Sequence, residues 1–206
     1  EGMALAKGMF VTTWSKDVCS QFERMTLDGK ILGAIALPGL GTASISTDHK
    51  RTEAFVSYTS YDAPRTIYST DLLDPKLTVW AKTEIPGDLS GYTVEQRRAK
   101  SKDGTEVPMF IVRKKDMKLD GNNPALLYGY GGFNVSLTPM FNPTIVPWLE
   151  AGGVYVVANL RGGGEYGEDW HRAGMQGNKQ NVFDDFYACA EWLVANKYTT
   201  STRLAI

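Results

Sequence analysis

The pattern of this sequence changes at about residue 92, and the two parts call for different kinds of sheet. Before that point, short runs rich in Val, Thr, Phe and Tyr are divided by turn residues. They are Met9–Trp14, Cys19–Thr26, Ile31–Leu37, Ala54–Ser60, Thr66–Thr70 and Leu77–Thr83, and they read as strands. Two units look alike: Phe22-Glu-Arg-Met-Thr-Leu-Asp-Gly-Lys30 and Tyr68-Ser-Thr-Asp-Leu-Leu-Asp-Pro-Lys76. They align with Leu27-Asp28 on Leu73-Asp74, an offset of 46 residues, and each runs on to a Pro-Gly pair (Pro38-Gly39, Pro86-Gly87). A β-rich repeat of that period points to propeller blades, with an ordinary pair of hairpins as the alternative.

After residue 92, strands alternate with helices. Tyr92–Lys100 and Val107–Arg113 flank Asp103-Gly104, a hairpin turn signal. Ala125–Tyr128 is a short strand, and Pro143–Ala151 a helix closed by Gly152-Gly153. Val154–Leu160 is a continuous apolar run, as in a parallel strand covered on both faces. A helix is expected over Asn181–Asn196. Asn181 can cap it, and Val182, Phe183, Phe186, Cys189, Ala190 and Leu193 form its apolar stripe. Arg203–Ile206 begins another strand. This alternation means an α/β sheet, so the expected division is an all-β part over 1–84 and an α/β part over 85–206. A strand that stops on its fourth residue would leave an edge unpaired, and the chain is therefore expected to be a piece of something longer.

The chemistry concentrates in Leu126-Leu127-Tyr128-Gly129-Tyr130-Gly131-Gly132-Phe133, an apolar strand running into glycines and tyrosines. Glycines there let backbone and substrate approach closely. A phenol among them can donate a hydrogen bond where an oxyanion forms, as acyl transfer requires. No serine has a Gly-x-Ser-x-Gly setting. In α/β-hydrolases that nucleophile follows a strand that itself follows a helix, and here that place falls after Ile206. The triad Ser, Asp and His is thus expected downstream.

Three motifs carry a resemblance. Tyr128-Gly-Tyr-Gly-Gly-Phe-Asn134, Ala158-Asn-Leu-Arg-Gly-Gly-Gly-Glu-Tyr-Gly167 and Asn178-Lys-Gln-Asn-Val-Phe-Asp-Asp-Phe186 occur in that order. Together they resemble the prolyl oligopeptidase family of serine peptidases over roughly residues 92–206. The resemblance implies a β-propeller joined to an α/β-hydrolase domain, so residues 1–84 would be its last blades and residues 85–206 the first part of the hydrolase sheet. It implies cleavage of short peptides on the carboxyl side of proline, with no cofactor and no metal. By motif position, Tyr130 matches the tyrosine that helps form the oxyanion hole. Phe133 matches an aromatic lining the pocket for the substrate proline, where a flat ring stacks on a pyrrolidine. The residues alone leave Tyr130 open as a structural tyrosine and favour core packing for Phe133; the resemblance tips both toward the site. An esterase or acylaminoacyl peptidase of the same fold, and a peptide-binding module without turnover, are the rival readings.

Other features read as structural. Gly162-Gly163-Gly164 lacks phosphate-loop spacing and is followed by Glu165, so a structural loop is expected. Arg161 is expected to pair with a carboxylate. Glu165, Glu168, Asp169 and His171 lack metal-ligand spacing and read as a solvated turn. Neither His49 nor His171 stands where a triad base belongs. Asp184 and Asp185 fit a helix start, where the macrodipole favours carboxylates. The net charge of −1 offers no face for nucleic acid or anionic lipid, and no apolar run approaches the roughly 18 residues of a membrane span. Cys19 and Cys189 are expected as separate buried thiols, which suits the cytoplasm; a periplasmic or secreted protein stays open, since the chain begins at Glu1, not Met, and a leader could belong to a missing N-terminus. A monomer is expected from the resemblance.

Overall fold

The computed structural model describes residues 2–206. They form two compact units. The first runs to Gly87 and takes in Thr138–Phe141; the second holds Asp88–Leu137 and Asn142–Ile206. The sequence gives no sign of the excursion at Thr138–Phe141.

The first unit is two antiparallel four-stranded meanders. One is β1 (Gly2–Ala6), β2 (Met9–Lys16), β3 (Cys19–Thr26) and β4 (Ile31–Ile35). The other is β5 (Thr42–Thr47), β6 (Glu53–Ser60), β7 (Ala63–Asp71) and β8 (Asp74–Lys82). The repeat read from the sequence falls at the same corner of each meander: Leu27-Asp28 lies in the turn from β3 to β4, and Leu73-Asp74 spans the end of the turn from β7 and the first residue of β8. Both sheets feed one core, in which Val11 and Phe22 of the first meet Val56 and Tyr58 of the second. Ser20 Oγ accepts from Ala43 N–H (2.9 Å) and Arg24 Nη1 donates to Leu72 O (2.6 Å), tying sheet to sheet. These are adjacent propeller blades, stacked as such blades stack. β1 and β5 were absent from the sequence reading.

The second unit is a five-stranded sheet. Its strands are β9 (Tyr92–Lys100), β10 (Glu106–Lys114), β11 (Ala125–Gly129), β12 (Val154–Ala158) and β13 (Leu204–Ala205), in the order β13-β11-β12-β10-β9. β9 and β10 form the hairpin expected around Asp103-Gly104, with Gly104 at φ +90°. β12 runs antiparallel to β10 and parallel to β11, and β11 runs parallel to β13. This is the opening part of an α/β-hydrolase sheet. Helices α1 (Val146–Glu150, after a 3₁₀ turn at Pro143–Ile145), α2 (Glu168–Arg172) and α3 (Gln180–Ala195) connect the strands.

α3 covers one face. Its Val182, Cys189 and Leu193 join Val107, Met109, Ile111, Leu127, Val156 and Ala158 in a single core. Phe110, Val112 and Val157 alternate with these, point the other way and are buried too; α1 packs against β10 and β12. Two details of α3 differ from expectation. Asn181 is not its cap: it lies inside the helix, and its amide donates to Ala173 O (2.9 Å). Phe183 is half exposed, one position off the stripe that 3.6 residues per turn buries. No helix among the described residues is long and apolar enough to cross a membrane.

Candidate active site

Because β11, β12 and β13 are parallel, their carboxyl ends lie at one edge of the sheet. The loop after β11 and the loop after β12 leave from that edge and pack on each other. In such sheets ligands bind beyond the carboxyl ends of the strands.

Glycines make the fit possible. A Cβ on Gly129 would stand 2.8 Å from Leu160 Cδ1, and one on Gly131 would stand 2.5 Å from Val182 Cγ1 and 2.9 Å from Arg161 O. Gly131 also sits at φ +59°, a conformation that L side chains rarely adopt. From the second loop, a Cβ on Gly162 would come within 2.6 Å of Gly131 O. Gly162–Gly164 is therefore the structural loop expected, and its glycines exist for contact with the first loop.

Between Gly129 and Gly131, which turn inward, Tyr130 turns outward. It is 46% exposed, and its hydroxyl has no hydrogen-bond partner among the described residues. Phe133 is 85% exposed and packs in neither core formed by the described residues. Its ring stacks loosely on that of Tyr130, with centroids 6.5 Å apart and planes at 29°. Phe133 and Asn134 both have left-handed backbones, at φ +54° and +58°. For side-chain-bearing residues this conformation is uncommon, and it concentrates at functional loops. Hydrogen bonds hold it: Asn134 N–H to Gly162 O (3.1 Å) and Val135 N–H to Gly132 O (3.0 Å). The structure thus brings both sequence-predicted site residues together on one strained loop, one with a free hydroxyl donor and the other with an exposed flat ring.

Sequence reasoning missed how this loop is braced. Arg161 is the centre. Its guanidinium donates to both oxygens of Asp185 (2.6–3.2 Å) and to Asp103 (2.5 and 3.3 Å), and its backbone N–H donates to Asp185 Oδ2 (3.1 Å). Asp185 is fully buried. One arginine thereby joins the β9–β10 turn, the second loop and α3, in the forked geometry that suits carboxylates. The pairing expected of Arg161 is real; the reading of Asp185 as a dipole-favoured helix start was incomplete. Glu165 and His171 are not a solvated turn either. Glu165 Oε1 accepts from Leu137 N–H (2.9 Å) and Asn159 Nδ2 (3.2 Å), and His171 Nδ1 donates to Gly162 O (2.8 Å). Neither sequence spacing nor periodicity carries a signal for such loop-to-loop bonds.

The Arg161 hydrogen bond holds the Asp103 carboxyl down at about 2, helped by Thr105 N–H. A carboxylate depressed in the fold stabilises it above its ordinary value near 4, and that contribution disappears as pH falls through about 2. Asp103→Asn is accordingly expected to flatten the acid limb of stability below about pH 4, read as unfolding temperature against pH. A variant whose acid limb matched the parent's would contradict this assignment.

The two cysteines are free and buried. Burial pushes Cys19 up to about 11 and Cys189 up to about 12, so both are thiols at neutral pH and poor nucleophiles. Among the described residues, no group of three or more His, Cys, Asp or Glu could hold a metal ion.

Comparison with known proteins points to one family. Residues 1–83 match the sequence model of the prolyl oligopeptidase N-terminal β-propeller domain, and residues 139–206 match that of the prolyl oligopeptidase family. A prolyl endopeptidase of Elizabethkingia miricola is 42% identical over 200 residues, spanning 97% of this chain and 28% of that protein. The dual function macrocyclase-peptidase POPB of Amanita bisporigera is 38% identical over 205 residues, again 97% of this chain and 28% of the relative. Among solved structures, the apo prolyl oligopeptidase B of Galerina marginata superposes with a TM-score of 0.91 at 36% identity, over 99% of this chain and 30% of that one. A chain from a structural study of two prolyl endopeptidases superposes at 0.88 with 49% identity, over 99% and 30% respectively. The chain thus spans under a third of the length of these relatives.

Proposed function

This chain belongs to the prolyl oligopeptidase family, and from that premise we propose that the whole protein is a serine peptidase cutting short peptides on the carboxyl side of proline. Within it, residues 1–84 serve as propeller blades and residues 85–206 as the first part of the catalytic domain. The observation that carries the reading is the Tyr130 hydroxyl, exposed and unspent at the carboxyl edge of a parallel sheet. Tyr130 donates to the oxyanion as a serine attacks the carbonyl after proline. A backbone N–H beside that serine is the second donor, the usual arrangement in α/β-hydrolases. Phe133 offers its exposed ring to the proline. Residues 1–206 contain no Gly-x-Ser-x-Gly, so the serine and its His and Asp partners are assigned to segments outside them. The reaction requires neither cofactor nor metal. Two unreactive free thiols suit a reducing compartment such as the cytoplasm, and a monomer is the form proposed.

A serine-directed fluorophosphonate applied to the whole protein tests the class. Peptide mapping is expected to find one adduct, on a serine outside residues 1–206. An adduct on a serine within them, or none at all, would overturn the proposal. Comparing turnover of a proline peptide with that of an acyl ester then separates the peptidase from an esterase of the same fold.

Phe133→Ala is expected to weaken binding of proline peptides by about 1–3 kcal/mol through lost apolar burial. Its signature is a raised KM for proline peptides and little change for peptides with alanine at that position. Equal KM values for parent and variant would remove Phe133 from the pocket.

A further inference from the structure

We infer that Lys179 is a positioning residue for Tyr130, its ammonium group holding the carbonyl of the next residue, Gly131, and so the turn that carries the phenol. The inference rests on the reading of Tyr130 as an oxyanion donor and extends it to a residue on another element.

The Asn178-Lys179-Gln180-Asn181 run opens α3, yet no side chain caps that helix. Three of the four reach outward to backbone carbonyls instead. Asn178 Nδ2 donates to Arg172 O (3.1 Å), Asn181 Nδ2 to Ala173 O (2.9 Å) and Lys179 Nζ to Gly131 O (2.8 Å). A cation at a helix N-terminus opposes the macrodipole, so helix stability does not account for Lys179. The first turn of α3 contains no acidic residue, and Lys179 has no carboxylate partner among the described residues. Its charge is therefore directed at the loop rather than neutralised on the helix.

The placement is specific to the turn around Tyr130. Lys179, Val182 and Phe186 follow one another at helical spacing and share a face of α3. Val182 lies against Gly131 and Phe186 against Gly129, the two glycines flanking Tyr130. At Gly132, the position where a Cβ would stand is 3.9 Å from Lys179 Nζ and 3.9 Å from Tyr130 Cε1. Cation and phenol thus flank the same glycine. A charge-assisted hydrogen bond to Gly131 O is stronger than a neutral one. It restrains a segment whose φ values of +59°, +54° and +58° at Gly131, Phe133 and Asn134 would otherwise relax.

A double-mutant cycle in the whole protein tests this. Lys179→Met is expected to lower kcat for a proline peptide on the order of tenfold, within the range of coupling between neighbouring residues. Lys179→Arg, which keeps the charge and a donor, restores most of that loss. In a Tyr130→Phe background, Lys179→Met should cost no more than about twofold, because the group it positions is gone. Parental kcat for Lys179→Met, or an undiminished tenfold loss in the Tyr130→Phe background, would overturn the inference while leaving the oxyanion reading intact. Parental kcat for Tyr130→Phe alone would instead remove the reading on which it rests. Should the methionine variant unfold early, Lys179→Gln, polar and uncharged, takes its place in the same cycle with the same expected result.

Discussion

In the whole protein, Tyr130→Phe is expected to turn over a proline peptide about 10²–10³-fold more slowly than the parent, the usual consequence of losing one oxyanion donor. The substitution removes an O–H and nothing else. The ring remains, with its stacked neighbour Phe133. Because the hydroxyl has no partner among the described residues, its removal strands no buried group. Stability should therefore stay within about 0.5 kcal/mol of the parent, as for most surface changes. KM should change little, since a donor aimed at the transition state contributes nothing extra to ground-state binding. A fall in kcat with unchanged unfolding temperature and KM is the expected signature. A tyrosine that merely held the loop in place would show the reverse, with stability lost and turnover nearly kept.

Asp185→Asn should destabilise the second unit by about 3–5 kcal/mol, the cost of leaving one member of a buried ion pair uncompensated. Asp185 is fully buried and receives both the Arg161 guanidinium and the Arg161 backbone N–H. In the variant Asp103 remains as a partner, but half of its side chain faces solvent and it meets only the Nη1 and Nη2 edge of the guanidinium. Replacing both members, Arg161→Met with Asp185→Leu, should recover part of the loss. Apolar replacement of a buried pair is often neutral, yet the Arg161 N–H would still lack its acceptor, at about 1–3 kcal/mol. Denaturant midpoints of the parent and the two variants check the order: parent, then the double variant, then Asp185→Asn. A single variant as stable as the parent would show that the bridge does not brace the loops.

The hairpins and blades could be read directly because they are local. Asp103-Gly104 names its own turn, and β9 and β10 must pair across it. Leu27-Asp28 and Leu73-Asp74 repeat because they fall at the same third-to-fourth-strand corner in successive blades. β1 and β5 escaped because Gly-Met-Ala-Leu-Ala and Thr-Ala-Ser-Ile-Ser-Thr are built largely from small residues. Such strands alternate too weakly in hydrophobicity to stand out. On α3 the stripe was right for Val182, Cys189 and Leu193 and one residue too wide at Phe183. Asn181 looked like a cap by residue type, but the helix begins a residue earlier and the amide is spent on Ala173 O. Asp185 was misread for a related reason. A carboxylate near a helix start already has a local explanation, while its true partner lies 24 residues away in sequence. At the site, the strand running into glycines marks the place of Tyr130, but the residues alone leave its role open, and the oxyanion reading comes from the resemblance. The braces on it, Arg161, Glu165, His171 and Lys179, are contacts between separate loops, and no local pattern encodes them.

Affinity for a peptide aldehyde ending in proline tests the role of Tyr130 most directly. Such an aldehyde forms a hemiacetal with the serine and places an oxyanion where the transition state has one. The whole protein should bind it at least about 10²-fold more tightly than the matching peptide alcohol, in keeping with transition-state analogues. Tyr130→Phe should erase most of that preference while binding the alcohol as the parent does. An aldehyde preference undiminished in the variant would mean that negative charge develops out of reach of this phenol.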